Sequence, residues 1–116
     1  MVSRRAAPQQ GDIYRVPLDP TAGSEIRGTR LVLIVSNADF NLGGRALAAP
    51  ITQGGSFERI AGWAVTLMGS GTTTQGAAVV SQCRVLDLQA RGALKLETAP
   101  VEVIDEALAK LQAMID

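Results

Sequence analysis

The apolar residues change period near residue 100, and that change limits the fold more than any other feature of the chain. Before it, short β-favouring runs are separated by Gly, Pro, Asp and Asn; after it, Val101, Ile104, Leu108, Leu111 and Ile115 recur at spacings of three and four. Alternating side chains bury one face of a strand, whereas a spacing of three and four buries one stripe of a helix. The expectation is therefore a mainly β chain with a C-terminal α-helix. Strands are expected over 12–18, 31–35, 45–52, 61–68, 77–81, 84–88 and 93–96, with one helical turn within 37–42. Several of these runs are too short to stand outside a packed or closed sheet, so a small barrel is expected. The terminal helix, over 100–115, should turn all five apolar residues of its stripe toward the core and close the barrel. Thr98 is expected to cap it, Pro100 fits its first turn, Glu102 complements its dipole, and Glu106 and Lys110 form an i,i+4 pair.

A chain of 116 residues, 47% hydrophobic, can bury one modest core. One domain is expected over 1–116, with residues 1–10 flexible, and a domain this small favours pairing with a second copy. Net charge is zero but unevenly placed: residues 97–116 hold five acidic side chains against Lys110, and residues 1–96 hold ten Lys/Arg against six Asp/Glu. A local cationic groove is compatible with that body, as is a plain solvated acidic helix at its end. Cys83 is the only cysteine, which leaves no intramolecular disulfide and no Cys/His zinc cluster. No apolar run follows Arg4 and Arg5, and none is long enough to cross a bilayer, so a soluble cytoplasmic protein without membrane attachment is expected.

Three loops carry the polar residues: DPTAGSEIRGTR at 19–30, PITQGG at 50–55 and GSGTTTQG at 69–76. None has the lysine of a P-loop or the strand-turn-helix setting of a dinucleotide fingerprint. The chain has no histidine, which removes His-assisted nucleophiles and paired-imidazole chemistry. Carboxylates, Arg, Tyr and hydroxyls are left, and the first loop brings Glu25, Arg27 and Arg30 together in sequence. Such clusters are commonly surface ion pairs. RNA asks little of a protein beyond these groups, because its 2'-hydroxyl can attack the adjacent phosphate once the backbone is held in line. An arginine fork matched to phosphate and a short hydroxyl donor suffice to hold the developing charge, with no metal required.

GDIYRVPLDPTAGSEIRGTR at 11–30 resembles the opening of the MazF/PemK toxin family, and LVLIVSNADFN, APITQGGSFERIAGWAVTL, SQCRVLDLQARG and the terminal helix follow in the family's order. The similarity, strongest to ChpB- and Kid-like members, covers nearly the whole chain. It implies a partly open SH3-like barrel of the MazF/PemK/CcdB type, a homodimer, and the toxin of a type II toxin-antitoxin system. Such a toxin cuts single-stranded RNA, mRNA included, without metal or cofactor, leaving a 2',3'-cyclic phosphate and a 5'-hydroxyl, and so arrests translation and growth. A cognate antitoxin would mask its groove.

The resemblance places the catalytic pair at Arg30 and Thr52; Glu25 is a further candidate, a carboxylate that orients Arg30 or accepts a proton, or else only pairs with Arg27. Ser24, Arg27, Gln53, Phe57, Ser81, Gln82 and Arg84 would line the RNA groove, Phe57 offering a stacking face unless it belongs to the core. Three positions depart from the family: Ser24 stands where Kid-like members carry an acid-base histidine, Ser81 where they carry an aspartate, and Leu31 where a proline usually follows the arginine. Those roles do not transfer, so an Arg/Thr mechanism of the MazF kind fits better than that of Kid. Two alternatives stay open. A CcdB-like DNA gyrase poison shares the architecture but carries a C-terminal tryptophan, whereas the only tryptophan here is Trp63. A catalytically silent RNA-binding or adaptor barrel is equally compatible with the fold.

Overall fold

The computed structural model describes residues 7–18, 28–53 and 61–116. Seven strands run as expected: β1 Asp12–Pro17, β2 Thr29–Ile34, β3 Arg45–Thr52, β4 Ala64–Thr66, β5 Ala77–Val79, β6 Arg84–Asp87 and β7 Leu94–Thr98. The helix α1 spans Val101–Ile115. The helical turn foreseen after β2 is a 3-10 turn at Phe40–Gly43, and a second at Val80–Gln82 takes the end of the run expected to continue β5. β4 is shorter than the expected run, because residues 61 and 62 form a turn.

All pairings are antiparallel. β3 lies against β2 on one side, and on the other against β6 through Arg45–Ala48 and β5 through Ile51–Thr52. Side-chain alternation along these strands sorts the apolar residues into two buried clusters. Leu33 and Val35 of the β2 run and Ala49 and Ile51 of β3 join Val65, Leu67, Val80, Val103, Ile104 and Ala107 beneath the helix. Val32, Ile34, Ala46 and Ala48 join Tyr14, Val16, Leu18, Leu86 and Leu88 on the opposite face. β1 enters between the two at Gly11. The amide of Gly11 donates to Ile34 O at 2.7 Å and its carbonyl accepts from Ala99 N at 2.8 Å. Its φ of 97° and the 3.1 Å that would separate an added Cβ from Ile104 leave no room for a side chain.

Two details of the helix differ from expectation. Its cap position is Pro100, with no side-chain cap, because Thr98 is the last residue of β7 and its hydroxyl donates to Asp12 Oδ1 at 3.1 Å. Its buried face is centred on Val103, Ile104 and Ala107, with Leu108 and Leu111 packed beside them. Val101 and Ile115 are 64% and 82% exposed, since the first sits at the edge of the stripe and the second lies in the last turn, beyond the core cluster. The expected Glu106–Lys110 pair is present at 3.6 Å.

The sheet does not close. Its path runs β4-β5-β3-β2-β1-β7, leaving β4 and β7 as unpaired ends, with β6 attached to β3. Among the described residues a carboxylate spans the two ends. Glu97 of β7 accepts the Thr73 amide at 3.0 Å through Oε1, and the Thr74 amide at 2.7 Å and hydroxyl at 2.6 Å through Oε2, all in the loop that follows β4. These bonds, the Thr74 hydroxyl foremost, hold the Glu97 carboxyl below its usual range against the opposing effect of burial.

Two stability predictions follow from this arrangement. Leu33→Ala, which empties a fully buried site, should cost about 2 to 5 kcal/mol in urea unfolding, whereas Ile115→Ala should stay within about 0.5 kcal/mol. A carboxyl whose folded value is lowered stabilises above its unfolded value, about 4.3, and loses that contribution as pH falls through the lowered folded value. The gap in unfolding midpoint between the wild type and Glu97→Gln should therefore be open near neutral pH and narrow in strong acid. An equal gap at both ends would refute the assignment.

Candidate active site

The register of β1, β2 and β3 decides which polar side chains meet. Arg30 faces Val16 of β1, and the β2–β3 ladder ends at the pair of Leu31 and Ile51, which Arg30 precedes in β2 and Thr52 follows in β3. Thr52 in turn faces Ala77 of β5. Residues directly opposite in an antiparallel pair have Cα atoms about 5 Å apart and share a face. Arg30 continues the alternation of Val32 and Ile34, and Thr52 that of Ala46 and Ala48, so both belong to the face of the second cluster. Each is half-buried and faces a fully buried residue, Arg30 facing Val16 and Thr52 facing Ala77. A guanidinium beside such apolar partners presents a planar fork of donors that is less screened there than in open water.

Gln53 stands next in the chain, exposed, and donates its side-chain amide to Gln75 O at 2.9 Å. The loop of residues 69–76 is thereby tied to the end of β3. Its last residue, Gly76, has φ 106°, and an added Cβ would lie 2.6 Å from Thr52 O and 2.9 Å from the Gln53 amide nitrogen. Only glycine permits this approach.

The remaining candidates divide. Arg84 pairs with Ala48 and lies in the alternation of Leu86 and Leu88, which puts it on the same face as Arg30. It stands four residues back along β3 from Thr52, about 13 Å by strand rise. Ser81, exposed, and Gln82, half-buried, belong to the 3-10 turn that joins β5 to β6. Ser24, Glu25 and Arg27 of the first loop and Phe57 of the second lie outside the described residues. The first loop is closed at its base by the Leu18 amide donating to Gly28 O at 2.9 Å, immediately before β2 delivers Arg30.

Other nucleophiles and proton carriers are poorly placed. Burial pushes the Cys83 thiol up, away from thiolate character. Burial and then the Asp12 charge raise Tyr14, the only tyrosine, which is 9% exposed on β1. Among the described residues no three His, Cys, Asp or Glu side chains gather as metal ligands would. A groove of about 860 Å³ between residues 7–9, Tyr14, Leu42, Leu94 and Lys95 contains none of the candidates.

Sequence reasoning missed two residues that shape this site. Glu97 reads as one more charge of the acidic C-terminal stretch, and nothing local announces that its partners are 23 and 24 residues away. Gly76 reads as an ordinary loop glycine, and only its φ and the closeness of Thr52 set it apart.

Comparison with known proteins agrees with the fold. The family model described as PemK-like, MazF-like toxin of type II toxin-antitoxin system matches residues 9–115. Endoribonuclease PemK of Escherichia coli is 43% identical over 116 residues, covering 99% of this chain and 87% of the relative. Endoribonuclease toxin ChpB of Escherichia coli strain K12 is 43% identical over 109 residues, covering 93% and 94%. Among solved structures, MazF of Deinococcus radiodurans superposes with a TM-score of 0.81 at 29% identity, covering 94% of this chain and 96% of that one. MazF from the same organism in a MazE-MazF crystal structure gives a TM-score of 0.78 at 30% identity, with 94% and 96% covered. With the family model matched over nearly its whole length and relatives at this identity, the chain belongs to the PemK-like, MazF-like toxins of type II toxin-antitoxin systems.

Proposed function

We propose that this chain is an endoribonuclease toxin that cuts single-stranded RNA, mRNA included, and is silenced by a cognate antitoxin. The reading is supported by the register that brings Arg30 and Thr52 to one face at the end of the β2–β3 ladder, in a chain whose relatives are named endoribonucleases. In the reaction the ribose 2'-oxygen forms a bond to phosphorus as the bond from phosphorus to the 5'-oxygen breaks. The 2'-proton passes to a base and the 5'-oxygen gains a proton, leaving a 2',3'-cyclic phosphate and a 5'-hydroxyl. The Arg30 fork pairs with the non-bridging oxygens, and the Thr52 hydroxyl donates to the oxygen on which charge develops. Glu25, the carboxylate nearest Arg30 in the first loop, orients the guanidinium or takes the 2'-proton.

Gln53, Ser81, Gln82 and Arg84 contact the RNA on either side of the cut, together with Ser24, Arg27 and Phe57 of the two loops. No metal or cofactor takes part. Residues 1–116 form one toxin domain acting in the cytoplasm as a homodimer, and no helix of the described residues is long and apolar enough to cross a membrane. The solved relatives that include MazE-MazF crystal structures support the antitoxin partner.

Incubating the purified protein with a long transcript in EDTA, then mapping new ends, tests the reading. Arg30→Ala should slow cleavage by about 100-fold or more, and Thr52→Ala by a similar factor, at unchanged thermal unfolding. Arg30→Lys should recover little, because a point charge cannot replace the two-pronged fork. A substrate with one 2'-deoxy sugar at the cut should be inert; its cleavage would exclude attack by the 2'-hydroxyl. Absence of cutting in every condition would favour a silent RNA-binding barrel.

A further inference from the structure

We propose that Glu97 is a positioning residue for RNA cleavage: its carboxylate holds the loop of residues 69–76 against Thr52 and thereby sets turnover. The proposal rests on the reading of Arg30 and Thr52 as the active pair.

The loop has two anchors on the side of the site. The Leu67 amide donates to Gly76 O at 2.8 Å, and Gln53 donates to Gln75 O. Its anchor on the far side is Glu97, on the opposite end strand of the sheet. Between the anchors the loop is bonded to itself. The Thr72 hydroxyl donates to Thr74 O at 2.7 Å and lies 3.0 Å from the Ser70 hydroxyl, which donates to Leu67 O at 2.6 Å. The Gln75 side chain donates to Thr72 O at 3.0 Å. A segment knitted in this way shifts as a unit, so a displacement at Thr73 and Thr74 reaches Gly76.

At Gly76 there is no slack, because the backbone is packed on Thr52 O more closely than any side chain would permit. The effect falls on Thr52 itself, whose strand partner Ala77 follows Gly76 directly. A donor to the developing charge loses effect when misaligned by a fraction of an ångström, and the loss shows in turnover more than in substrate binding. A carboxylate suits the clamp because three donors converge on two oxygens. A glutamine would turn an N–H against one of them.

The test compares the wild type, Glu97→Gln, Thr74→Val and Thr52→Ala in steady-state cleavage of a fluorogenic RNA that carries a mapped cut site. Amide exchange at Thr73 and Thr74 is measured in parallel. Glu97→Gln should speed exchange at both amides and lower kcat about tenfold, with KM changed less than about twofold. Thr74→Val, which removes one hydroxyl donor and keeps the backbone, should act in the same direction but less, and it decides the matter if Glu97→Gln fails to fold. Faster exchange with kcat unchanged overturns the proposal, because the clamp would then be structural only. A loss confined to KM overturns it as well. If Thr52→Ala is fully active, the active-site reading falls and this proposal with it; an inert Thr52→Ala beside a fully active Glu97→Gln sinks the positioning role alone.

Discussion

The double-sided pairing of β3 is the constraint on which the rest of the molecule depends. β2 lies along one edge of this strand, and β6 and then β5 lie along the other, so its eight residues set the register of three neighbours. Side-chain period in a strand is two, and a slip of one residue would exchange the helix-facing cluster for the opposite one. It would also separate Arg30 from Thr52. The apolar content of Leu33, Ala49 and Ile51 on one face and of Val32, Ile34, Ala46 and Ala48 on the other therefore fixes the face of Arg30 and Thr52 as a by-product of fixing the core.

That by-product matters because the chain has so few chemical options. It lacks histidine, its one thiol is shifted up by burial, and its one tyrosine is shifted up by burial and a neighbouring charge. Neither a guanidinium nor an alcohol is a ready general base. In the proposed reaction they hold charge in place instead. RNA is a substrate for which this is nearly enough, since the nucleophile is built into the ribose.

Alternation and turn residues made the seven strands and the terminal helix legible before any coordinates, as did the resemblance to the family. Boundaries were less so: Thr98 has the look of a cap, yet it completes β7 because Asp12 accepts its hydroxyl from across the sheet. Val101 and Ile115 keep helical spacing but reach past the core, a fact that depends on where the sheet ends and not on their own period. At the site, residue types at Arg30 and Thr52 were readable, while their place on one face is a matter of register between strands far apart in the chain. Glu97 was unreadable for the same reason, its partners being set by the curl of the sheet.

The unclosed sheet separates two tasks. Backbone ladders hold Arg30 and Thr52 from beneath, and they are continuous from β7 through β1, β2 and β3 to β5. The loop between β4 and β5 is held by side chains, with Glu97 doing at one point what a seventh ladder would do along a whole strand. A ladder tolerates little change in either partner, because each rung is shared backbone. A carboxylate clamp leaves an exposed side chain such as that of Thr73, which Glu97 holds by its amide, free to differ without disturbing the strands below. The architecture therefore combines a fixed row of strand residues beneath the proposed site with a wall that can change composition.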